Sequence, residues 1–259
     1  MGSKIHPLLA YLHYWLLKQD RHAIQSPKVY ELYTGLLDFR KHSHDMHLEI
    51  EVIRKSLLAD SSLIEVLDLG AGSKKVPDQR RKVSDITRYS TSGRKFNLLY
   101  QYFASISPAK TIVELGTCMG INARFLSKIS GSTVFTFEGS PEILQRAFKN
   151  GLPPSISPQL GDISETLPPF LASHQKIDFA LIDATHTYEG TMLYFNLLLQ
   201  SITPQSIICI GDIHWSHEME KAWKEIQVHP RVQLSLDFYE CGVLFFDFGA
   251  EKSHYVLNY

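Results

Sequence analysis

From Thr111 onward the sequence alternates short β-branched runs with amphipathic stretches, and few folds accept that order. Strand-like runs fall at Thr111 to Leu115, Thr133 to Glu138, Ser155 to Leu160, Asp178 to Asp183 and Ser206 to Gly211, with helical stretches between them. Strands separated by helices predict βαβ units and a parallel sheet. After a helix near Glu218 to Ile226, the runs Val232 to Phe238 and Gly242 to Phe248 are joined by only Tyr239, Glu240 and Cys241. So short a joint forces an antiparallel pair, because a parallel pair needs a long crossover. The expectation is a doubly wound, Rossmann-like α/β domain: a mostly parallel seven-stranded sheet ending in an antiparallel hairpin.

The first ninety residues carry helical spacing instead, as in Leu8, Leu9, Leu12, Trp15 and Leu16, and again in Val29, Leu32, Tyr33, Leu36 and Leu37. Ser26-Pro27 offers an N-cap followed by proline at the first helical position, so a helix should open there. Tyr11, Trp15, Tyr30 and Tyr33, at helical spacing, read as core, or as a roof over an acceptor pocket. Between Ser73 and Ser92 the chain is basic and polar, which predicts an exposed connection. The division expected is a helical cap or lid over residues 1–90 and a ligand-binding domain over 91–259.

In Ile112-Val113-Glu114-Leu115-Gly116-Thr117-Cys118-Met119-Gly120, a strand runs into a glycine loop and then into a helix, Ile121 to Ile129. Glycine lets backbone approach a ligand closely. A dinucleotide fingerprint would need glycine at 118 and 121, where Cys118 and Ile121 stand, and no lysine closes the loop as a P-loop requires. Four acids, Glu114, Glu138, Asp162 and Asp183, each fall at the C-terminal end of successive expected strands. Ligands of open α/β sheets bind at that edge.

Glu114-Leu115-Gly116-Thr117 with Gly120 resembles motif I of class I S-adenosylmethionine-dependent methyltransferases, especially the bacterial O-methyltransferase-like branch. The resemblance covers roughly residues 90 to 250. It implies S-adenosylmethionine as cofactor: Glu114, Gly116, Thr117 and Gly120 at its methionine part, Glu138 and Gly139 at the ribose, and Asp162 and Ile163 at the adenine. A carboxylate suits a vicinal diol because it accepts two hydrogen bonds at once. Asp183-Ala184-Thr185-His186-Thr187-Tyr188-Glu189 is similar to the family's D-x-x-H-x-Y-E segment, so Asp183 lines the cofactor as well. A second glycine segment, Val66-Leu67-Asp68-Leu69-Gly70-Ala71-Gly72-Ser73, looks like a methyltransferase loop too. No helix pattern and no acid-bearing second strand follow it, so a structural or lid role is expected.

The chemistry implied is in-line methyl transfer to a small-molecule acceptor, which needs alignment, a base and exclusion of water. His186 and His214 each lie three residues past a strand, so both are candidates for the base, with Asp183 in the same cleft. Related metal-dependent enzymes hold a divalent ion with two aspartates and an asparagine. Asp183 and Asp212 match the aspartates, Ile213 replaces the asparagine, and a metal is therefore not favoured. Arg94 and Lys95, placed to reach an anionic group, read first as solvated charge. Two other functions keep the same fold: a nicotinamide-dependent oxidoreductase, which the glycine spacing opposes, and a noncatalytic cofactor-binding or assembly module.

Lys plus Arg number 26 against 27 for Asp plus Glu, which gives no electrostatic pull toward nucleic acid or an anionic membrane. Cys118, Cys209 and Cys241 form no CxxC pair and read as reduced thiols. The apolar stretch Pro7 to Leu17 is too short to span a bilayer and lacks a cleavage site. A cytoplasmic protein is expected, with a homo-oligomer allowed.

Overall fold

The computed structural model describes residues 2–43, 45–67, 78–107, 109–174, 176–249 and 251–259. Three helices open the chain, α1 (Gly2–Leu17), α2 (Pro27–His42) and α3 (Leu48–Leu58), followed by strands β1 (Leu63–Glu65) and β2 (Arg80–Lys82) and helices α4 (Val83–Ser90) and α5 (Arg94–Ile106). The alternating part runs β3 (Thr111–Leu115), α6 (Ile121–Leu126), β4 (Thr133–Glu138), α7 (Pro141–Ala147), β5 (Ile156–Leu160), α8 (Ile163–Ser173), β6 (Ile177–Ile182), α9 (Tyr188–Leu198), β7 (Ile202–Gly211) and α10 (His217–Val228). Strands β8 (Leu234–Asp237), β9 (Cys241–Phe245) and β10 (Ser253–Val256) close it.

The main sheet has eight strands in the order β10-β8-β9-β7-β6-β3-β4-β5. Strands β5, β4, β3, β6 and β7 run parallel, and β9 lies antiparallel between β7 and β8. The expected hairpin is therefore present, and the expected count of seven is corrected to eight by β10, which pairs parallel with β8. Ser253–Val256 is short, polar and only partly covered, so it carries no apolar alternation from which a strand could be read.

Side chains of successive residues point to opposite faces of a strand, and the two cores follow that alternation. Ile112, Val134, Phe179, Leu181, Ile207 and Cys209 pack on one face against α2, α5 and α6. Val113, Leu115, Ala180, Ile182, Ile208 and Ile210 pack on the other against α8, α9 and α10. Each fully buried side chain such as Phe179 or Phe195 stabilises the fold by about 1.5–3 kcal/mol. A helix between two layers is covered on every side: all residues of α5 from Phe96 to Ala104 are buried.

Ser26 caps α2 as expected, its side chain accepting from the Val29 N–H with Pro27 at the first helical position. Two other readings of the first ninety residues are corrected. β1 and β2 pair antiparallel, Leu63 opposite Lys82, in a region read as lacking strands. Much of the basic stretch read as a connection is β2 and α4, because Val83, Ile86 and Thr87 share a buried helical face with Ile50 and Leu57 of α3. Charges dominate that stretch in the sequence, while the few apolar residues at helical spacing decide its structure. The second glycine segment, Asp68 to Ser73, lies outside the described residues. Of the aromatic residues expected in the core, Tyr33 is buried, whereas Tyr11, Trp15 and Tyr30 are exposed. α1 is apolar nearly all round and packs at the sheet's outer edge, so only one stripe of it finds a partner.

Candidate active site

β3 ends at Leu115, and the loop turns through Gly116 at φ +101° and Gly120 at φ +70°, where side chains are disfavoured. Gly116 is also required by contact: a Cβ there would lie 2.2 Å from the Asp183 carbonyl oxygen. The glycine loop therefore sits directly on the end of β6. Gly116 and Thr117 both donate backbone N–H to the Phe137 carbonyl at 3.0 Å, which ties the loop to β4 as well.

Glu114 is fully buried beneath the loop. The Thr136 hydroxyl donates to Glu114 Oε2, and Thr117 donates in turn to Thr136 at 2.6 Å, because Thr136 has spent its own proton. Burial, more than any neighbouring charge, pushes the Glu114 carboxyl up to about 8, and the Thr136 bond opposes part of that rise. Glu114 thus acts first as a buried prop of the loop. Glu138 stands half-buried at the end of β4. Its Oε2 accepts from the Cys118 N–H and its Oε1 from the Ser140 N–H, each at 3.0 Å, so the carboxylate is fixed between two loops. Gly139 follows it, also half-buried. Asp162 caps α8, accepting from the Ser164 N–H at 2.8 Å and hydroxyl at 2.7 Å, with Ile163 buried behind it.

Past β6 the chain makes a sharp turn, with Thr185 at φ +67° and His186 at φ +48°. Non-glycine residues reach the left-handed region at a cost, and such strain concentrates where a loop must aim a side chain. Asp212, after β7, is likewise at φ +55°. These turns bring Asp183, His186 and Asp212 together, their ligand atoms all within 4.8 Å of one another. Burial pushes the Asp183 carboxyl up to about 6; His186 draws it down and Asp212 adds to the rise. His214 is not part of that group. Its Nε2 lies 2.8 Å from Asp237 Oδ2, which also accepts from the Trp223 indole at 3.1 Å, and its ring stacks on Tyr239.

Several partners of Asp183 carry no sequence motif. Ser92 donates its hydroxyl to Asp183 Oδ2 at 3.3 Å, and the Asn122 amide reaches the same oxygen at 3.5 Å and Ser92 Oγ at 3.3 Å. Asn97 donates to Asn122, and Arg54 of α3 to Asn97, so a polar chain runs from the N-terminal helices to the cluster. Packing of α3, α5 and α6 on one another assembles it. Arg94, by contrast, donates to the carbonyls of Ser43 (2.8 Å) and Met46 (2.6 Å) and pairs with Glu51, while Lys95 donates to the Tyr259 carbonyl. Both basic groups hold the fold together, in place of the solvated role expected. All three cysteines are free thiols, and burial pushes Cys118 up to about 12.

A Rossmann-like sheet with a glycine loop and acids along its C-terminal edge defines a nucleotide-cofactor fold. Residues 113–213 match a family model described as a methyltransferase domain. Three solved structures share the fold. An O-methyltransferase from Bacillus cereus, solved with S-adenosylhomocysteine, is 17% identical with a TM-score of 0.51, over 60% of this chain and 83% of that one. A Podospora anserina methyltransferase, also bound to S-adenosylhomocysteine, is 16% identical with a TM-score of 0.54, over 78% and 97%. An O-methyltransferase of tomaymycin synthesis from Streptomyces achromogenes, solved with S-adenosylmethionine, is 13% identical with a TM-score of 0.52, over 61% and 82%. No curated protein matches the sequence at a significant level. Residues 113–213 thus match a methyltransferase domain and carry the Rossmann-like fold that these structures share. Among the described residues, no helix is long and apolar enough to cross a membrane.

Proposed function

We propose that the protein is an S-adenosylmethionine-dependent methyltransferase that methylates a hydroxyl of a small molecule. The observation that carries this reading is the contact of the Gly116 turn with Asp183, which joins the glycine loop to the Asp183, His186 and Asp212 cluster at one sheet edge. Gly116, Thr117 and Gly120 border the methionine part of the cofactor, with Glu114 propping the loop from below. Glu138 and Gly139 take the ribose, since the Glu138 carboxylate is fixed between two loops at the end of β4 and a carboxylate suits a vicinal diol. Asp162 and Ile163 flank the adenine. When bound, S-adenosylmethionine supplies an electrophilic methyl group on a sulfonium. His186 accepts the acceptor's hydroxyl proton at Nε2, and Asp212 Oδ2, 3.7 Å away, stabilises the imidazolium that results. Asp183, held by Ser92 and Asn122, lines the cleft beside it. Within the expected cap, α3 and α4 pack against Met119 and Ile121 beside the glycine loop and shelter this edge from water, with His214 a second candidate for the base.

A second reading has one specific observation behind it. Asp183, His186 and Asp212 present three donors to one point, so His186 can stand where Ile213 supplies none. A divalent ion held there would orient and acidify the acceptor hydroxyl as a Lewis acid. Calorimetric titration with S-adenosylmethionine, S-adenosylhomocysteine and NAD tests the cofactor: the first two bind and NAD does not. Binding of NAD alone would replace methyl transfer by the oxidoreductase reading.

A further inference from the structure

A second cluster of ligating side chains, none of them shared with Asp183, His186 and Asp212, lies near His214, where α1 meets α10. His217 and Glu220 are one turn apart on α10 and therefore share a face. His6 of α1 comes down onto that face, its ring centroid 3.8 Å from that of His217 and its Nε2 3.4 Å from Glu220 Oε2. The three ligand atoms lie within 4.8 Å of one another. His6 is only 5% exposed, and its buried Nε2 makes no hydrogen bond. A buried ring nitrogen aimed at a carboxylate and a second imidazole, without a hydrogen bond to either, is left wanting a partner.

We propose that His6, His217 and Glu220 form a site for Zn2+ that staples α1 onto α10. Two imidazoles and one carboxylate are a donor set zinc accepts, with a fourth position left to water. Magnesium and calcium, which take oxygen donors, fit it poorly. With zinc bonds of about 2.0–2.1 Å, tetrahedral ligand atoms stand about 3.3 Å apart. The His6 to Glu220 separation already meets that spacing, and His217, which is exposed, has room to rotate into place. Lys224 holds the other carboxylate oxygen, Oε1, at 2.5 Å, which orients Oε2 toward the site.

The rival explanation is an ordinary ion pair between Glu220 and a protonated His6. A pair of that kind would place the His6 Nε2–H in a hydrogen bond to the carboxylate, and the buried Nε2 makes none. A staple also has a purpose at this place. α1 leaves Leu8, Leu9, Leu12 and Leu16 exposed, and polar ties hold it: Tyr239 donates to the Pro7 carbonyl and Tyr14 to the Leu257 carbonyl, each at 2.8 Å.

The test uses the full chain, stripped with EDTA, and titrates it with Zn2+ by calorimetry and with Co2+ by visible absorption. The Asp212→Asn protein is the parallel background, because it weakens the other cluster. In both proteins one equivalent should bind at His6, His217 and Glu220, give the intense bands of tetrahedral cobalt, and raise Tm. His6→Ala and the near-isosteric Glu220→Gln should each weaken that equivalent by more than about tenfold and abolish its bands. Zn2+ binding that survives both substitutions in the Asp212→Asn background, that disappears with Asp212→Asn alone, or that is absent from the wild type overturns the proposal.

Discussion

His186 Nε2 lies 3.7 Å from Asp212 Oδ2, across the gap between the loops that follow β6 and β7. The two residues are 26 positions apart in sequence and meet because β6 and β7 are neighbouring parallel strands, Ile182 beside Ile210. Each sits on a left-handed backbone turn that bends it back over the sheet edge. A histidine paired in this way can take a proton with the carboxylate stabilising the cation, or serve with it as one of two metal ligands.

The closeness of β7 to Asp183 gives a prediction that involves no ionisable residue. A methyl group added at Gly211 would lie 2.2 Å from Asp183 Oδ1. Gly211→Ala should therefore displace that carboxylate, lower turnover by tenfold or more, and destabilise the fold by about 1–3 kcal/mol through overpacking. Urea denaturation and steady-state assay measure the two effects. Wild-type turnover in this variant would show that the position of Asp183 does not matter to the reaction.

Glu138→Ala should weaken S-adenosylhomocysteine binding by roughly ten- to a hundredfold, the equivalent of about 1.5–3 kcal/mol for a charged partner of two hydroxyls. Glu138 also accepts the Cys118 and Ser140 N–H groups, so Glu138→Gln serves as a control that keeps the shape and part of that bonding. Calorimetry should rank wild type first, the glutamine variant second and the alanine variant last. Equal affinities in all three would move the ribose away from Glu138.

Much of this arrangement was legible in the sequence. The runs Thr111 to Leu115 and Thr133 to Glu138 are strands with those same ends, because each is a short β-branched, apolar run that stops at a glycine turn. The antiparallel pairing of β8 with β9 followed from a joint too short for anything else. β10 was not legible, since a polar edge strand is made by its partner and not by its own pattern. In the site, the sequence points to Asp183, His186 and Asp212 one by one, yet Ile213 leaves a ligand vacancy that nothing in the sequence assigns to His186. The turn at Thr185 and His186 decides that, and spacing alone does not encode a left-handed backbone. Ser92 and Asn122 carry no such signal for a related reason: Ser92, just before α5, and Asn122, in α6, reach Asp183 only through tertiary packing.

Glu114 makes a prediction about pH. Its carboxyl titrates at about 8 in the folded protein against an ordinary value of 4.5. A group whose pKa is raised on folding contributes stability that is whole below 4.5 and lost as pH climbs through about 8. Glu114→Gln, neutral at every pH, lacks that loss. Relative to the variant, the wild type should therefore become less stable from pH 5 to pH 9, by on the order of 1 kcal/mol or more per unit of pKa shift. Denaturation series at several pH values test this; parallel curves would mean that Glu114 is already ionised at pH 5.

His186 separates binding from chemistry. If it removes the acceptor's proton, His186→Ala should lower turnover by about a hundredfold or more while leaving S-adenosylhomocysteine affinity within a few-fold of wild type. Loss of affinity on the same scale as loss of turnover would make it a cofactor-positioning group. The pairing with Asp212 adds a second arm, since Asp212→Asn removes the charge that stabilises the imidazolium and keeps the carbonyl oxygen. A base held by that charge should lose part of its rate in the asparagine variant, with no response to added ions. The metal reading behaves differently: EDTA abolishes wild-type activity, Mg2+ or Mn2+ restores it, and His186→Ala and Asp212→Asn both raise the concentration of ion required. Each reading thus leaves its own mark on the same three proteins. Once an acceptor hydroxyl has been found by screening, activity that survives EDTA and falls with His186→Ala establishes the base, while activity that follows the ion makes Asp183, His186 and Asp212 its ligands.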